Sequence, residues 1–313
     1  MALLLHLNDV DEDLWAKRLK QKLSPYKIYR CGDKYNTSEI NYILVWKPKE
    51  NAFDGLNNLK AIMSLGAGVD ALLAHKNLPN NVPIVRFVDD DLANCMSEYV
   101  ISHVLMHHRL FSHYQNEQRA KLWQQYFPPP ANQRNVGIMG LGELGLDAIK
   151  KLKPFNFNLF GWARSQKNIA GVKTYIGADE FNQFLSNIDI LVNLLPLTKQ
   201  TQGILNYHNF KKLRRVENFI PTIINAARGG HQNEADIIKA LKDKTLGAAS
   251  LDVFEVEPLP KTSRLWEMDN CYITPHIAAI SNAQTGVNYF SKILIEHESG
   301  KPLPNLVDIK KGY

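Results

Sequence analysis

The chain has 313 residues, 45% of them hydrophobic, 10% aromatic and 22% charged, a balance that suits two domains with sizeable cores and excludes global disorder. Its net charge of +6 comes from scattered basic residues, densest at Lys211–Arg215 and Lys310–Lys311, so ordinary solubility is favoured and nucleic acid is not expected as a partner. No apolar stretch approaches the roughly 20 residues of a membrane helix, so no membrane partner is expected either.

The opening "MALLLHLNDVDED" has an apolar run too short for a signal-peptide core and no basic leader, and reads as a buried first strand of a cytoplasmic protein. The apolar runs "ALLLHL", "YILVW", "AIMSLG" and "PIVRF" follow one another with helical patterns such as Leu14–Leu23 between them, the pattern of an α/β sheet with crossover helices. Cys31, Cys95 and Cys271 lack disulfide-framework or metal-ligand spacing. They read as buried small apolar residues, and no metal is expected. A helical pattern starts near Asp91 or Ser97 and runs to about Lys121, beyond which Pro128–Pro130 forbid helix.

A second α/β series comes next. "NVGIMG", "FNLFGW", "IDILVNLLP", "PTIINAA", "TLGAASLDVF" and "CYITPH" read as strands. "ELGLDAIKKLKPF", "ADEFNQFLSN" and "NEADIIKALKDK" read as helices, and a last helix covers Ser281–Glu298. The expected organisation is one domain from both termini, residues 1–97 plus 282–313, and an inserted domain, residues 98–281.

Gly140-Leu141-Gly142-Glu143-Leu144-Gly145 fits G-x-G-x-x-G between a strand and an amphipathic helix, the context that makes the pattern a dinucleotide fingerprint. Gly140 permits the tight turn, Gly142 the approach of a pyrophosphate, and Gly145 close helix–strand packing. The helix N-terminus offers N–H groups and partial positive charge. At the end of the next strand, NAD sites carry an acid that bonds the ribose 2′-OH. Here Ala163 stands there, followed by Arg164, Ser165 and Lys167, a set that repels no 2′-phosphate and can grip one. NADP(H) is therefore expected over NAD(H), with Trp162 flanking the adenine.

Three further segments end strands, where open parallel sheets place their ligand crevice. "INAARGG" offers Arg228, "LDVFEVEPLP" offers Asp252 and Glu257, and "TPHIAA" offers His276. With "PLTKQTQG" at Pro196–Gly203, these segments resemble, in order, motifs of the D-isomer-specific 2-hydroxyacid dehydrogenases. "VWKP" at Val45–Pro48, "SLGAGVD" at Ser64–Asp70, "WARSQK" and the terminal "KGY" narrow the resemblance to the NADPH-using glyoxylate/hydroxypyruvate reductase A branch.

The resemblance implies two doubly wound α/β domains, an inserted NAD(P)-binding Rossmann domain and a flavodoxin-like substrate domain. It implies reduction of small 2-keto acids, glyoxylate and hydroxypyruvate before larger ones such as phenylpyruvate. Arg228 would grip the substrate with its planar fork. His276 would be the general acid, oriented by Glu257. Backbone at Ala67, Gly68 and Val69 would hold the substrate carboxylate. Trp46 would wall the site, with Arg86 and Phe87 near it. Leu195, Pro196, Ala226 and Asp252 would join the cofactor set, Asp252 positioning the nicotinamide carboxamide. The cleft would lie between the domains and close about hinges near Asn94–Glu98 and Ile280–Ala283. The helix bearing His103, His107, His108 and His113, read as surface or interface histidines, resembles the family's dimerisation element, so a homodimer is expected.

Three details depart from the family pattern. Asp147 sits early in the fingerprint helix, where an acid would weaken phosphate binding. The segment Lys211–Asn225 is longer than its counterpart and has no glycine turn. His231 occupies an unusual position and is given no function. The rival class is a dinucleotide-sensing interaction protein, because the family's fold also serves corepressors.

Overall fold

The computed structural model describes residues 1–217 and 219–312. Asn218, within the long 211–225 segment, and Tyr313, the last residue of the "KGY" mark, lie outside the described residues. The chain divides into two compact units, Met1–Leu92 with the segment from Ser281 onward, and Ala93–Ile280. Among the described residues no helix is long and apolar enough to cross a membrane.

The first unit holds a parallel sheet of β1 (Ala2–Leu7), β2 (Lys27–Arg30), β3 (Tyr42–Trp46), β4 (Ala61–Ser64) and β5 (Ile84–Arg86), ordered β2-β1-β3-β4-β5. This is the flavodoxin-like order. Every residue of β1 is buried, as expected of a strand covered on both faces. α1 (Glu12–Lys22) is capped by Asp11, whose side chain accepts the Leu14 N–H, and buries Trp15, Ala16 and Leu19. α2 (Asp70–Leu73) is a single turn after β4.

α3 (Asp90–His108) runs without interruption through the expected hinge at Asn94–Glu98. The single helix expected to reach Lys121 is instead two. Leu110 adopts a left-handed conformation, φ 59°, and α4 (Phe111–Ala120) starts after it. The break is held by burial, since the Leu110 side chain packs into the core of the second unit, and His113 consequently lies on a different helix from the other three histidines.

The second unit carries β6 (Asn135–Met139), β7 (Asn158–Ala163), β8 (Val172–Ile176), β9 (Ile190–Asn193), β10 (Thr222–Asn225), β11 (Ala248–Leu251) and β12 (Cys271–Ile273). They form one parallel sheet ordered β12-β11-β10-β9-β6-β7-β8. That is the dinucleotide-binding order with one strand added, and its direction reverses between β6 and β9. α5 (Glu143–Leu152), α6 (Phe181–Leu185), α7 (Tyr207–Phe210) and α8 (Glu234–Lys242) connect the strands. α9 (Ala283–Glu298), capped by Asn282, belongs to the first unit.

At the amino-terminal end of this sheet Arg134 is buried, its guanidinium carbon 3.5 Å from the Phe219 ring centroid and its Nη1 3.6 Å from Asp189. Asp189 also accepts two bonds from Arg214, at 2.7 and 2.6 Å. Arg214 and Phe219 thereby enclose a buried cation and its partner carboxylate.

Several expectations about burial are overturned. Cys31 is exposed. His107 and His108 are buried rather than superficial. Nε2 of His107 lies 2.9 Å from Ser250 Oγ, and burial pushes its pKa down to about 3. Phe87 is wholly buried between Tyr289 and Phe290, so it is a core ring and lines no cleft.

Candidate active site

The strand β6 ends in Gly140, whose φ of 97° favours glycine. A Cβ there would meet the Leu194 carbonyl oxygen at 2.6 Å, so the turn lies directly on the end of β9. A Cβ on Gly145 would meet the Gly140 oxygen at 1.9 Å, which sets α5 against the strand. Gly142 is the N-cap of α5, with no side-chain cap and open space where a Cβ would stand. The helix N–H groups are thus left for an outside acceptor. Leu141 is buried, Leu144 half-buried and Glu143 exposed. These residues fit a pyrophosphate.

The feared acid does not intrude. Asp147 accepts Ser97 Oγ and Lys151 Nζ, each at 2.6 Å. Burial alone would raise its pKa, but these bonds win and lower it. Its charge is spent on α3 and on its own helix.

At the end of β7, Ala163 is buried while Arg164, Ser165 and Lys167 are exposed. No carboxylate replaces the missing acid in this run. Trp162 is placed differently from expectation. It is buried, its Nε1 donates to the Gly177 carbonyl at 2.8 Å, and its ring lies 4.7 Å from that of Phe181. Those contacts make it a packing residue of the sheet face instead of an open surface for adenine.

A buried chain of amides, which sequence reasoning missed, ties neighbouring strand ends together. Asn193 Nδ2 donates to Asn225 Oδ1 at 2.9 Å, Asn225 Nδ2 to Gln232 Oε1 at 2.8 Å, and Gln232 Nε2 to the Val253 carbonyl at 2.9 Å. Asn193 also accepts the Leu195 N–H, and Asn225 accepts the Ala227 N–H and donates to the Arg228 carbonyl. Leu195, Pro196, Ala226 and Arg228 are therefore presented by one network at the ends of β9 and β10. The Pro196 carbonyl is held by Thr201 Oγ1 at 2.8 Å and lies 3.2 Å from His231 Nε2, which gives buried His231 a structural role.

Arg228 stands beyond β10, half-buried, its Nη1 donating to the Ala227 carbonyl at 2.8 Å. A Cβ on the next residue, Gly229, would meet the Phe254 carbonyl oxygen at 1.8 Å, so this loop presses on the one after β11. In that second loop Glu257 Oε1 accepts the Phe254 N–H at 3.1 Å, and Oε2 lies 2.8 Å from His276 Nδ1. A carboxylate only accepts, so Nδ1 donates, and 40% of the His276 side-chain surface is exposed. Arg228, Glu257 and His276 thus lie in the loops that follow three adjacent strands, with Glu257 bonded to His276 and the Arg228 loop pressed on the loop that carries Glu257.

His276 has φ 57°, a left-handed setting for a residue with a side chain. Its backbone N–H bonds the Asp252 carbonyl at 2.8 Å. The Asp252 carboxylate accepts Thr274 Oγ1 at 2.7 Å, Ile277 N at 2.8 Å and Ala278 N at 2.9 Å. Buried Asp252, expected beside a nicotinamide, is first of all the clamp on the loop that carries the histidine.

In the first unit Trp46 ends β3, and a Cβ on Gly66 would meet its ring at 2.5 Å. The indole therefore lies against the loop that continues into half-buried Ala67, exposed Gly68 and buried Val69. Arg86 is half-buried at the end of β5, its carbonyl accepting Tyr289 Oη at 3.0 Å. Among the described residues no group of three or more His, Cys, Asp or Glu could hold a metal.

Residues 101–278 match the model of the NAD-binding domain of D-isomer-specific 2-hydroxyacid dehydrogenases. The chain is 37% identical over 304 residues to glyoxylate/hydroxypyruvate reductase A of Serratia proteamaculans, covering 96% of both. It is similar to the crystal structure of an NADPH-dependent glyoxylate/hydroxypyruvate reductase from Sinorhizobium meliloti in complex with NADP and sulfate, with TM-score 0.93, 40% identity and coverage of 100% and 99%. It is also similar to a D-isomer-specific 2-hydroxyacid dehydrogenase from Xanthobacter autotrophicus Py2 in complex with NADPH and MES, with TM-score 0.94, 36% identity and the same coverage. With the fingerprint, the Glu257–His276 pair beside the Arg228 loop and these likenesses in hand, the chain belongs to the D-isomer-specific 2-hydroxyacid dehydrogenase family.

Proposed function

We propose that the protein reduces small 2-keto acids with NADPH, glyoxylate to glycolate and hydroxypyruvate to glycerate. The observation that carries the reading is the His276 ring held by Glu257 beside the Arg228 loop, at the same sheet end as the fingerprint. The cofactor, when bound, supplies the hydride. Gly140–Gly145 and the α5 N-terminus hold its pyrophosphate, and Arg164, Ser165 and Lys167 its 2′-phosphate. Leu195, Pro196, Ala226 and Asp252 line the rest of its site.

The Arg228 fork orients the keto acid and favours negative charge growing on the carbonyl oxygen. His276 gives that oxygen a proton from Nε2, and Glu257 at Nδ1 fixes the orientation of the ring. Backbone at Ala67, Gly68 and Val69 in the substrate domain holds the carboxylate. Trp46 limits the size of the acid.

NADPH oxidation should be followed with glyoxylate, hydroxypyruvate and phenylpyruvate, for wild type and His276→Ala. Rapid turnover of the two small acids that His276→Ala abolishes is the expected result. No turnover of any of the three, with NADPH still bound, would favour a dinucleotide sensor.

A homodimer belongs to the same reading. α4 buries none of its residues, and the segment after it leaves Trp123 97% and Phe127 86% exposed, beside exposed Leu122 and Phe111. Exposed rings of this kind support that reading. Sedimentation of Trp123→Ser/Phe127→Ser should give monomers where the wild type gives dimers. A cytoplasmic location also belongs here, supported by the scarcity of cysteine, three in 313 residues.

A further inference from the structure

The loop that carries His276 is fastened from behind as well as from its own strand. Tyr99 is buried on α3, and its hydroxyl lies 2.9 Å from Thr274 Oγ1. Thr274 Oγ1 lies 2.7 Å from Asp252 Oδ1, the oxygen that also takes the Ile277 N–H. A hydroxyl has one hydrogen. That of Thr274 is spent on the carboxylate, so Tyr99 is the donor to Thr274. Burial first, and the nearby Asp252 after it, push the phenol's pKa up, which keeps that donor protonated. The ring itself is set by His103, 4.2 Å away on the next turn of α3.

The relay ends on the group that makes the unusual loop possible. His276 keeps a left-handed backbone because Asp252 bonds the N–H groups of residues 276, 277 and 278, the first through its carbonyl and the others through its carboxylate. A carboxylate with several acceptor directions swings unless each is fixed, and Thr274, fixed by Tyr99, supplies the side-chain restraint.

We propose that Tyr99 is a positioning residue for the reduction, its hydroxyl acting through Thr274 and Asp252 to hold the His276 ring where the proton is delivered. This rests on the reading of His276 as the acid. It adds a residue on a helix distant in sequence, one that carries no motif.

The test uses Tyr99→Phe, which keeps the ring and deletes one hydroxyl, with Thr274→Val, Thr274→Ser, the Tyr99→Phe/Thr274→Val double variant and His276→Ala. The measurements are kcat for glyoxylate at saturating NADPH, NADPH affinity by fluorescence, and Tm. Tyr99→Phe should lower kcat roughly three- to tenfold, the range for one net hydrogen bond, with NADPH affinity within about twofold of wild type. Thr274→Ser should recover kcat relative to Thr274→Val. The double variant should be no slower than Thr274→Val alone, because both break one relay.

If Tyr99→Phe turns over at the wild-type rate while His276→Ala is inactive, the proposal is overturned and the acid stands. A kcat loss matched by equal losses in NADPH affinity and Tm also overturns it, since general loosening then accounts for the effect. Near-normal kcat in His276→Ala removes the acid itself, and the positioning role with it.

Discussion

Glu257 takes the His276 Nδ1 hydrogen on one oxygen at 2.8 Å and the Phe254 N–H on the other at 3.1 Å. Both oxygens are engaged, so the carboxylate cannot turn without breaking a bond. Glu257→Gln keeps the shape and removes the charge that supports a donating imidazolium. It should lower kcat by about 10- to 100-fold, with NADPH affinity little changed. A steady-state kcat within about twofold of wild type would show that the ring needs no anion behind it.

Cofactor choice should reside at the end of β7, where Ala163 is buried and Arg164 exposed. Ala163→Asp with Arg164→Gln restores a ribose acceptor and removes the forked cation. The KM for NADPH should rise about 10- to 100-fold and that for NADH should fall, as charge-assisted bonds to a phosphate require. An unchanged ratio of the two kcat/KM values counts against this site.

Trp46 is pinned by the loop it faces, since even a methyl on Gly66 would stand 2.5 Å from its ring. Trp46→Ala should raise kcat/KM for phenylpyruvate relative to glyoxylate about tenfold. Competing-substrate assays measure that ratio directly. A constant ratio means that some other residue sets the size limit.

His107 has its pKa pushed down to about 3 by burial first and by His103 second. An unfolded histidine takes up its proton near 6.5, so between about 6.5 and about 3 the unfolded state binds a proton that the folded state refuses. Stability is therefore intact above that window and falls as pH drops through it, by about 1.4 kcal/mol per pH unit. Denaturant unfolding from about pH 7 to about pH 5 should show a shallower acid slope in His107→Gln, the difference approaching one proton at the lower end. Identical slopes would assign the acid sensitivity elsewhere.

Asp189 is fully buried and neutralises a fully buried neighbour, with 0% and 1% of their side-chain surfaces exposed. Asp189→Ala leaves the Arg134 cation on the Phe219 ring with no anion, and should cost about 3–5 kcal/mol in urea unfolding. A loss under about 1 kcal/mol would mean that the aromatic face alone suffices.

The chemistry was legible in the sequence because its signals are local. A glycine pattern between strand and helix, an Arg-Gly after one strand and a His after another need no tertiary knowledge. The α/β class of both units followed from the alternation of apolar runs and helical patterns, and their doubly wound character from the family resemblance. Two strands were invisible for a physical reason: β2 and β8 are sheet edges, only partly buried, and neither forms an apolar run. The break at Leu110 was hidden because a leucine, not a glycine, takes the left-handed turn, paid for by core contacts from elsewhere in the chain. Trp162 and Phe87 were misplaced for a related reason, since whether an aromatic at a strand end faces solvent or core depends on rings far off in sequence. Nothing local singles out the amide chain, whose weight comes from burial and from the bonds its members make to one another.

That chain has a consequence for anyone altering the enzyme. Asn193, Asn225 and Gln232 are buried and pass hydrogen bonds in one direction from the end of β9 to the loop after β11. Each donates what the next accepts, so they behave as one inherited unit. A library that randomises any one of them will recover almost only the parental amide, whereas joint replacement of all three can reach new arrangements that no series of single steps would survive.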